Sequence, residues 1–245
     1  MSANHFNITT SPLGNQQISA NQLPDTISRA QAGLIVDGIS PYWGGGRFVY
    51  GRFGATVRQY GLCTRLIAVA SGAIQHNFTE AAFTSNLGSS LFVAMTSGTV
   101  GQFGWFMFAG VVPVNCNASV AADTTLGIAA AGQGGANTIS KQIVSARVAL
   151  AATTTVVKTN CSGVSGAFTI TVPNADGLFL GCYMSGTGVG AAALITSIDD
   201  SGTVITVSVA NSAAVSGSVT GTYNNAVIFY NVAMLNTPFA QGAIT

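Results

Sequence analysis

Histidine is the first residue type to consider for acid–base or metal chemistry, and this chain has only two, His5 and His76. Glu80 follows His76 by four residues, but no third ligand lies nearby, and two ligands are weak evidence for a metal site. His5 lies in a polar N-terminal stretch. We therefore expect His76 to be an exposed loop residue that neither catalyses nor binds a metal.

Two further patterns could be mistaken for catalytic or cofactor sites. Asp199 and Asp200 are neighbouring carboxylates, but adjacent strand residues point apart and Gly202 follows, so they indicate a β-turn. The glycine-rich stretch 186–190 lacks the spacing and the following helix of a dinucleotide fingerprint. No G-x-S-x-G nucleophile motif occurs. The sequence thus predicts neither an enzyme nor a cofactor.

The four cysteines show no C-x-x-C or metal-ligand spacing. So few in 245 residues indicate small buried hydrophobic side chains and no disulfide framework, which fits synthesis in a reducing cytoplasm. They are Cys63, Cys116, Cys161 and Cys182.

Charged residues make up only 6% of the chain, against roughly 25% in ordinary soluble domains. Such a neutral surface favours association, so we interpret the chain as a component of a larger assembly. An unusually neutral secreted β protein is the alternative. No signal peptide and no transmembrane helix are expected from the sequence.

The net charge of +1 is unevenly distributed. Residues 1–67 carry five arginines against two aspartates, whereas the remainder is mildly acidic. A mildly basic N-terminal part suits docking on an acidic surface, although a solvated strand face is the commoner explanation. The arginines are too sparse for a nucleic-acid site.

The elements that must position any site are β-strands, and the stretch 91–114 is the centre of the pattern. It reads as strand, turn and strand, rich in aromatic and β-branched residues. Alternation places Trp105 and Met107 on one face and Phe106 and Phe108 on the other. Both faces are apolar, so one is covered by the chain's own core and the other by the core or by another subunit. The candidate subunit-interface residues are Phe103, Trp105, Phe106 and Phe108.

Before this centre, residues 1–33 are polar and predict an extended arm that gains order against a partner, or a tail without a role. Alternation in 47–53 puts Arg47 and Val49 on one face and Tyr50 and Arg52 on the other. Residues 62–71 read as a strand, and residues 72–90 as a loop or short helix.

Five motifs follow one another along the chain: GRFVY at 46–50, VAM at 93–95, GQFGWFMFAG at 101–110, VAAD at 120–123 and the closing tail 232–239. In this order they resemble the motifs of small head-decoration (cement) proteins of tailed bacteriophages. The resemblance covers about 33–152 and 225–239, and no single motif is diagnostic. It implies a β-rich domain on the outside of a capsid shell, often a trimer where capsomers meet, with the major capsid protein as partner.

Residues 153–223 depart from that pattern and read as about five short strands joined by Gly, Ser, Asn and Asp turns. We therefore predict an all-β fold: a barrel or sandwich core of 34–152 and 224–245, an N-terminal arm 1–33, and an inserted β subdomain 153–223. The alternative is one continuous barrel.

The favoured function is a non-enzymatic virion protein that binds the capsid exterior and bridges capsid subunits, made in the host cytoplasm and contacting neither nucleic acid nor membrane. Aromatic and Arg residues are enriched at interface hot spots. The candidate partner-binding residues are therefore Tyr42, Trp43, Arg47 and Arg52.

Two alternatives stay open. A surface-displayed adhesin or glycan-binding module would stack aromatic side chains against sugar rings, with Tyr183, Tyr223 and Asn224 as its candidates. Another minor β-rich virion component, such as a tail or collar protein, fits the composition equally well.

Overall fold

The computed structural model describes residues 5–8, 17–19, 24–28, 30–40, 44–70, 73–85, 87–225 and 227–241. These residues form eighteen β-strands and no helix, which confirms the all-β prediction. The strands are β1 (His5–Ile8), β2 (Gln17–Ser19), β3 (Ile35–Ser40), β4 (Gly44–Phe53), β5 (Leu62–Ala70), β6 (Ala73–Glu80), β7 (Leu91–Ala94), β8 (Phe103–Cys116), β9 (Thr125–Ala130), β10 (Gln133–Ala136), β11 (Gln142–Leu150), β12 (Thr155–Gly163), β13 (Thr169–Thr171), β14 (Tyr183–Gly186), β15 (Ala193–Ile198), β16 (Val204–Val207), β17 (Val215–Thr222) and β18 (Phe229–Ala240).

Twelve strands form one mixed sheet, here called the body, in the order β10-β9-β11-β18-β8-β7-β5-β6-β4-β3-β1-β2. The long strand β8 is its centre. The N-terminal half of β8 pairs with β4 and β7, and the C-terminal half pairs with β18. Besides its neighbours β18 and β7 in this order, β8 also pairs with β4 and with β10, so the sheet folds back on itself twice.

The first fold-back is a ring of β8, β7, β5, β6 and β4, closed by a short parallel contact between β4 and β6. Its interior is aromatic. The ring of Phe106 stacks on that of Phe78 with 3.8 Å between centroids, and Phe53 lies 5.0 Å from Phe106. Gly51 is required here, because a Cβ at this position would lie 2.1 Å from the Phe78 ring. With Phe92, these rings form a cluster of four phenylalanines, here called the phenylalanine cluster. Its packing requires that residue 51 has no side chain.

The second fold-back joins β8, β18, β11, β9 and β10, and returns to β8 through a single parallel contact of Gly134 with Cys116. Asn231 is completely buried beside it, and both polar atoms of its side chain form hydrogen bonds. Its Oδ1 accepts hydrogen bonds from the backbone amides of Val120 and Ala152 at 3.0 and 2.8 Å, and its Nδ2 donates to the Ala118 carbonyl at 3.1 Å. This asparagine therefore ties two loops to β18 without leaving a buried polar atom unpaired.

Strands β12 to β17 form a separate closed barrel, here called the insert barrel, in the order β12-β13-β16-β15-β14-β17. Its interior is aliphatic, with Ile170, Ile205 and Val219 completely buried. An aromatic cluster joins it to the body. The ring of Phe179 lies 5.9 Å from that of Tyr60 and 5.5 Å from that of Tyr230, all nearly perpendicular.

The stretch 91–114 folds as predicted. Strands β7 and β8 are antiparallel, with Val93 opposite Met107 and Ala94 opposite Phe106. Alternation is also as predicted, because Trp105 and Met107 belong to the large core whereas Phe106 belongs to the phenylalanine cluster, with Phe108 packed against it.

Residues 72–90 differ from the expectation of a loop or short helix. Ala73–Glu80 is strand β6, which pairs with β5 over its whole length in a regular antiparallel register. The strand forms because β5 supplies a pairing partner; its own sequence, AIQHNFTE, has weak β-propensity.

The described parts of the N-terminal arm pair with the chain itself. Strand β1 pairs with β2 and with β3, and Asp25 forms a β-bridge with Phe103. The buried Asp25 carboxylate accepts a hydrogen bond from the Tyr50 hydroxyl at 3.3 Å, which attaches this part of the arm to the body.

Candidate interaction surfaces

Arg47 lies on the exposed face of β4, directly opposite Asp37 on β3. Its Nε is 3.2 Å from the Asp37 carboxylate, and both side chains are about half exposed. Its guanidinium also lies over the Phe108 ring, 5.4 Å from the centroid. Arg47 is thus held flat on an apolar surface, a geometry suited to a contact that combines apolar area with a carboxylate.

A groove of about 180 Å³ opens beside this arginine. Its floor includes Phe92 and Phe108, and its walls include Ile35 and Pro238. Arg65 also lines the groove, with its guanidinium 5.4 Å from the centroid of the Phe92 ring. Ile35 is 47% exposed, so one wall faces solvent. We call this set the arginine-flanked groove.

Arg52 does not belong to that groove. It lies on the opposite face of β4, as alternation predicts, and its Nη1 donates to the Gln75 side chain at 3.2 Å. The candidate pair Arg47 and Arg52 is therefore not brought together in one site. Tyr42 and Trp43 lie outside the described residues and stay a prediction.

Two of the proposed subunit-interface residues are covered within one chain. Phe106 is completely buried in the phenylalanine cluster, and Trp105 is 6% exposed against Tyr50, with 5.0 Å between ring centroids. Within one chain, Phe106 thus leaves no exposed surface and Trp105 very little for a partner to cover. Phe103 stacks on Tyr50 and is half-buried, and half-buried Phe108 belongs to the arginine-flanked groove.

The glycan-binding candidates are also largely used inside the chain. Tyr223 is 1% exposed and its hydroxyl donates to the Gly177 carbonyl at 2.8 Å. The Asn224 Nδ2 donates to the Ala152 carbonyl at 2.7 Å. Only Tyr183 keeps a half-buried ring. This set cannot form the stacking platform that the glycan hypothesis needs.

His76 and Glu80 share a face of β6, but Glu80 is committed to Arg58. Its carboxylate accepts from Arg58 Nε at 2.7 Å, from Nη2 at 3.0 Å and from the Arg58 amide at 3.1 Å. His76 is half-buried on a strand, so its expected position in an exposed loop is wrong. Within the described ranges, no three His, Cys, Asp or Glu side chains come together in a way that could hold a metal ion.

Asp199 terminates β15 and organises the turn that the sequence predicted. Its Oδ1 accepts hydrogen bonds from the amides of Thr203 and Val204 at 2.9 and 2.8 Å, and its Oδ2 from the Ser201 hydroxyl. Burial by itself would raise the pKa of Asp199, but these hydrogen bonds outweigh it and lower the pKa. The carboxylate is a structural turn residue.

All four cysteines are free and buried, as predicted. Burial raises the pKa of each thiol, that of Cys116 to about 11, so none is a reactive thiolate at neutral pH. Among the described residues, no helix is long and apolar enough to span a membrane.

One surface was missed at the sequence level. Beyond the phenylalanine cluster, β5 and β6 continue as a hairpin whose apolar residues are exposed, such as Val69 at 76% and Ile74 at 66%. In the sequence, Ser71-Gly72 is a turn signal with an apolar run on either side, and this pattern could have identified the hairpin.

Comparison with known proteins adds no relative to this description: no family model, curated protein or solved structure matches the chain.

Proposed function

We propose that this chain is a non-enzymatic virion protein of a tailed bacteriophage, which binds the outer surface of the capsid and bridges adjacent capsid subunits. The observation that carries the proposal is the arginine-flanked groove. Its apolar floor offers an anchor site, and Arg47 and Arg65 offer cations at its edge. Interface hot spots have this composition, with an apolar centre and arginines beside it.

The chemistry of the groove indicates what the major capsid protein must present. An apolar side chain would enter between Ile35 and Pro238, and a carboxylate beside it would meet Arg65 or compete with Asp37 for Arg47. Such a contact combines apolar burial, at roughly 25 cal/mol per Å², with an ion pair that is strongest at low salt. The mildly basic N-terminal part of the chain favours an acidic shell surface.

Composition supports the same proposal. With charged residues at 6%, the surface has little electrostatic barrier to dense packing of many copies on a shell. Stabilisation by a decorating protein needs no chemistry, because each copy adds the free energy of its own contacts. The free, buried thiols agree with synthesis in the host cytoplasm.

Co-sedimentation with empty capsids of the virus that encodes the chain tests the proposal. We expect saturable binding, and Arg47→Glu should weaken it by at least tenfold because it reverses the charge at the groove. Arg147→Glu is a matched control, since Arg147 is also exposed and pairs with Asp123 at 3.3 Å, away from the groove.

A second pair of variants tests the apolar wall. Ile35→Asp should reduce binding, whereas Val157→Asp on the insert barrel should not; the two side chains are 47% and 59% exposed, so neither change disturbs a core. Absence of binding by the wild-type chain, or equal loss in both members of each pair, would contradict the proposal.

A further inference from the structure

The β5–β6 hairpin projects beyond its neighbours in the body. Strand β7 pairs with β5 only at residues 62–64, whereas β6 pairs with β5 from residue 63 to residue 70. In the described part of the chain, the outer edge of β5 from Arg65 to Ala70 therefore has no β-partner. We call the described residues 65–70 and 73–77 the projecting hairpin.

Four aliphatic side chains of this hairpin face solvent. Leu66 is 64% exposed, Ile67 57%, Val69 76% and Ile74 66%. Val69 lies opposite Ile74, so Ile67, Val69 and Ile74 share one face of the hairpin, whereas Leu66 lies on the other face. The three side chains on one face present on the order of 300 Å² of apolar surface, which is within the range of the largest patch on a typical monomer, and such patches mark interaction sites. Other exposed aliphatic residues, such as Ile139 and Val227, have no large exposed aliphatic residue next to them in the sequence.

The hairpin also lacks the features that normally protect an exposed edge. Natural proteins block free edges with charged residues, proline or a β-bulge. Residues 66–75 contain no charged residue and no proline, and the β5–β6 register has no bulge. An edge left in this state indicates that another strand covers it in the functional protein.

We propose that the edge of β5 pairs with the same edge of a second copy of this chain, in an antiparallel arrangement about a two-fold axis. The occupant follows from charge. Residues 66–75 carry no formal charge, so this segment does not repel its own copy, and Arg65 lies at the end of the edge next to the part of β5 that pairs with β7. A partner of this segment must be neutral, apolar and equipped with a free edge. The same segment of a second copy meets all three requirements.

Two-fold strand pairing has geometric consequences that non-specific association through an apolar patch would not have. Each residue i of one β5 faces a residue j of its copy with i + j constant, so one position lies next to itself. The contact also gives a dimer, whereas the resemblance to decoration proteins implies a trimer. This inference does not depend on capsid binding.

Oligomeric mass is the first test. Sedimentation of the full chain should show a concentration-dependent dimer, and Val69→Lys should shift it to monomer by at least a tenfold weaker association. Val164→Lys is the control, because Val164 is 73% exposed on the insert barrel. A wild-type monomer, a wild-type trimer, or a dimer unchanged by Val69→Lys would overturn the proposal.

Disulfide scanning is the second test and reports on geometry. Single cysteines placed at 66, 67, 68 and 69 can be compared directly, since all four native cysteines are buried. Cross-linking should peak at one position and fall on both sides, and Val164→Cys should stay uncross-linked. Equal cross-linking at all positions would overturn strand pairing. Loss of capsid binding with an intact dimer would instead concern only the proposed function.

Discussion

The insert barrel and the body differ in whether their strand edges are paired. Each of the six strands of the insert barrel pairs with a neighbour on both sides. In the body, the edge of β5 over residues 65–70 pairs with none of the other described residues, and exposed aliphatic side chains lie beside it. In a closed barrel, the backbone N–H and C=O groups of the strand edges are already paired, so another chain cannot add a strand there. We therefore expect contacts with partner chains to lie on the body rather than on the insert barrel.

The interiors of the two regions differ as well. The body ring encloses stacked phenylalanines such as Phe78 and Phe106, whereas the insert barrel encloses aliphatic residues such as Ile170 and Ile205. A phenyl ring makes more contacts than an aliphatic branch and fixes the geometry of its neighbours. Removal of one phenyl ring from the body should therefore reduce the free energy of unfolding more than removal of one methyl group from the insert barrel.

The largest expected effect is that of Phe106→Ala. Its side chain is completely buried and stacked on Phe78, so the change should reduce the free energy of unfolding by about 3–5 kcal/mol. Ile205→Val in the insert barrel should cost only about 0.5–1.5 kcal/mol. Urea unfolding, followed by hydrogen exchange of separate peptides, measures both.

The same measurement tests whether the regions are separate. Phe106→Ala should lower protection in body peptides and leave those of the insert barrel near their wild-type values. If both lose protection equally, the aromatic junction of Tyr60, Phe179 and Tyr230 couples the regions into one cooperative unit.

An intermediate effect is expected at the Asp199 turn of the insert barrel. Asp199→Ala removes the acceptor of two amides and one hydroxyl, at a cost of about 1–2 kcal/mol. Because folding lowers the pKa of Asp199, its stabilisation is present above the unfolded pKa of about 3.9 and is lost as pH falls through the folded pKa.

Asp199→Asn separates charge from shape in this turn. Asparagine keeps an acceptor oxygen but cannot titrate, so the variant should lose part of the stability at neutral pH and the acid dependence contributed by this position. Unfolding midpoints measured between neutral pH and about pH 3 give both values. An unchanged acid dependence would show that Asp199 is not its source.

Local features were predictable from the sequence, and long-range closures were not. Alternation in 105–108 and the Asp199 turn depend on neighbouring residues, and both predictions are confirmed. Strand β6 was missed because its β-structure comes from pairing with β5. The burial of Phe106 depends on the parallel contact of β4 with β6, which no short pattern reveals.

The candidate surface shows the same division. Arg47 was identified from its residue type, and its position opposite Asp37 follows from the β3–β4 register. The groove beside it also needs Pro238, which is almost two hundred residues away in the chain and arrives only when β18 pairs within the body. The sequence could thus predict Arg47 as a binding residue, but it could not predict the apolar groove beside it.

The smallest expected effect lies at His76, at the base of the projecting hairpin. Burial and the nearby charge of Arg65 lower the pKa of His76, and its Nδ1 has no hydrogen-bond partner among the described residues. Gly33 packs directly against the ring. The unfolded chain therefore binds a proton more readily than the folded chain, so stability should decline as pH falls through about 6.5.

His76→Gln should abolish this decline between about pH 7.5 and about pH 5.5, whereas His5→Gln, the only other histidine change, should leave it in place. Hydrogen exchange should show the loss first in hairpin peptides, while the insert barrel stays protected because Asp199 is still charged in this range. The two regions would then respond to acid in separate pH windows, the body first. A decline that persists in His76→Gln would assign it to another group, and simultaneous loss in both regions would show that acid does not distinguish them.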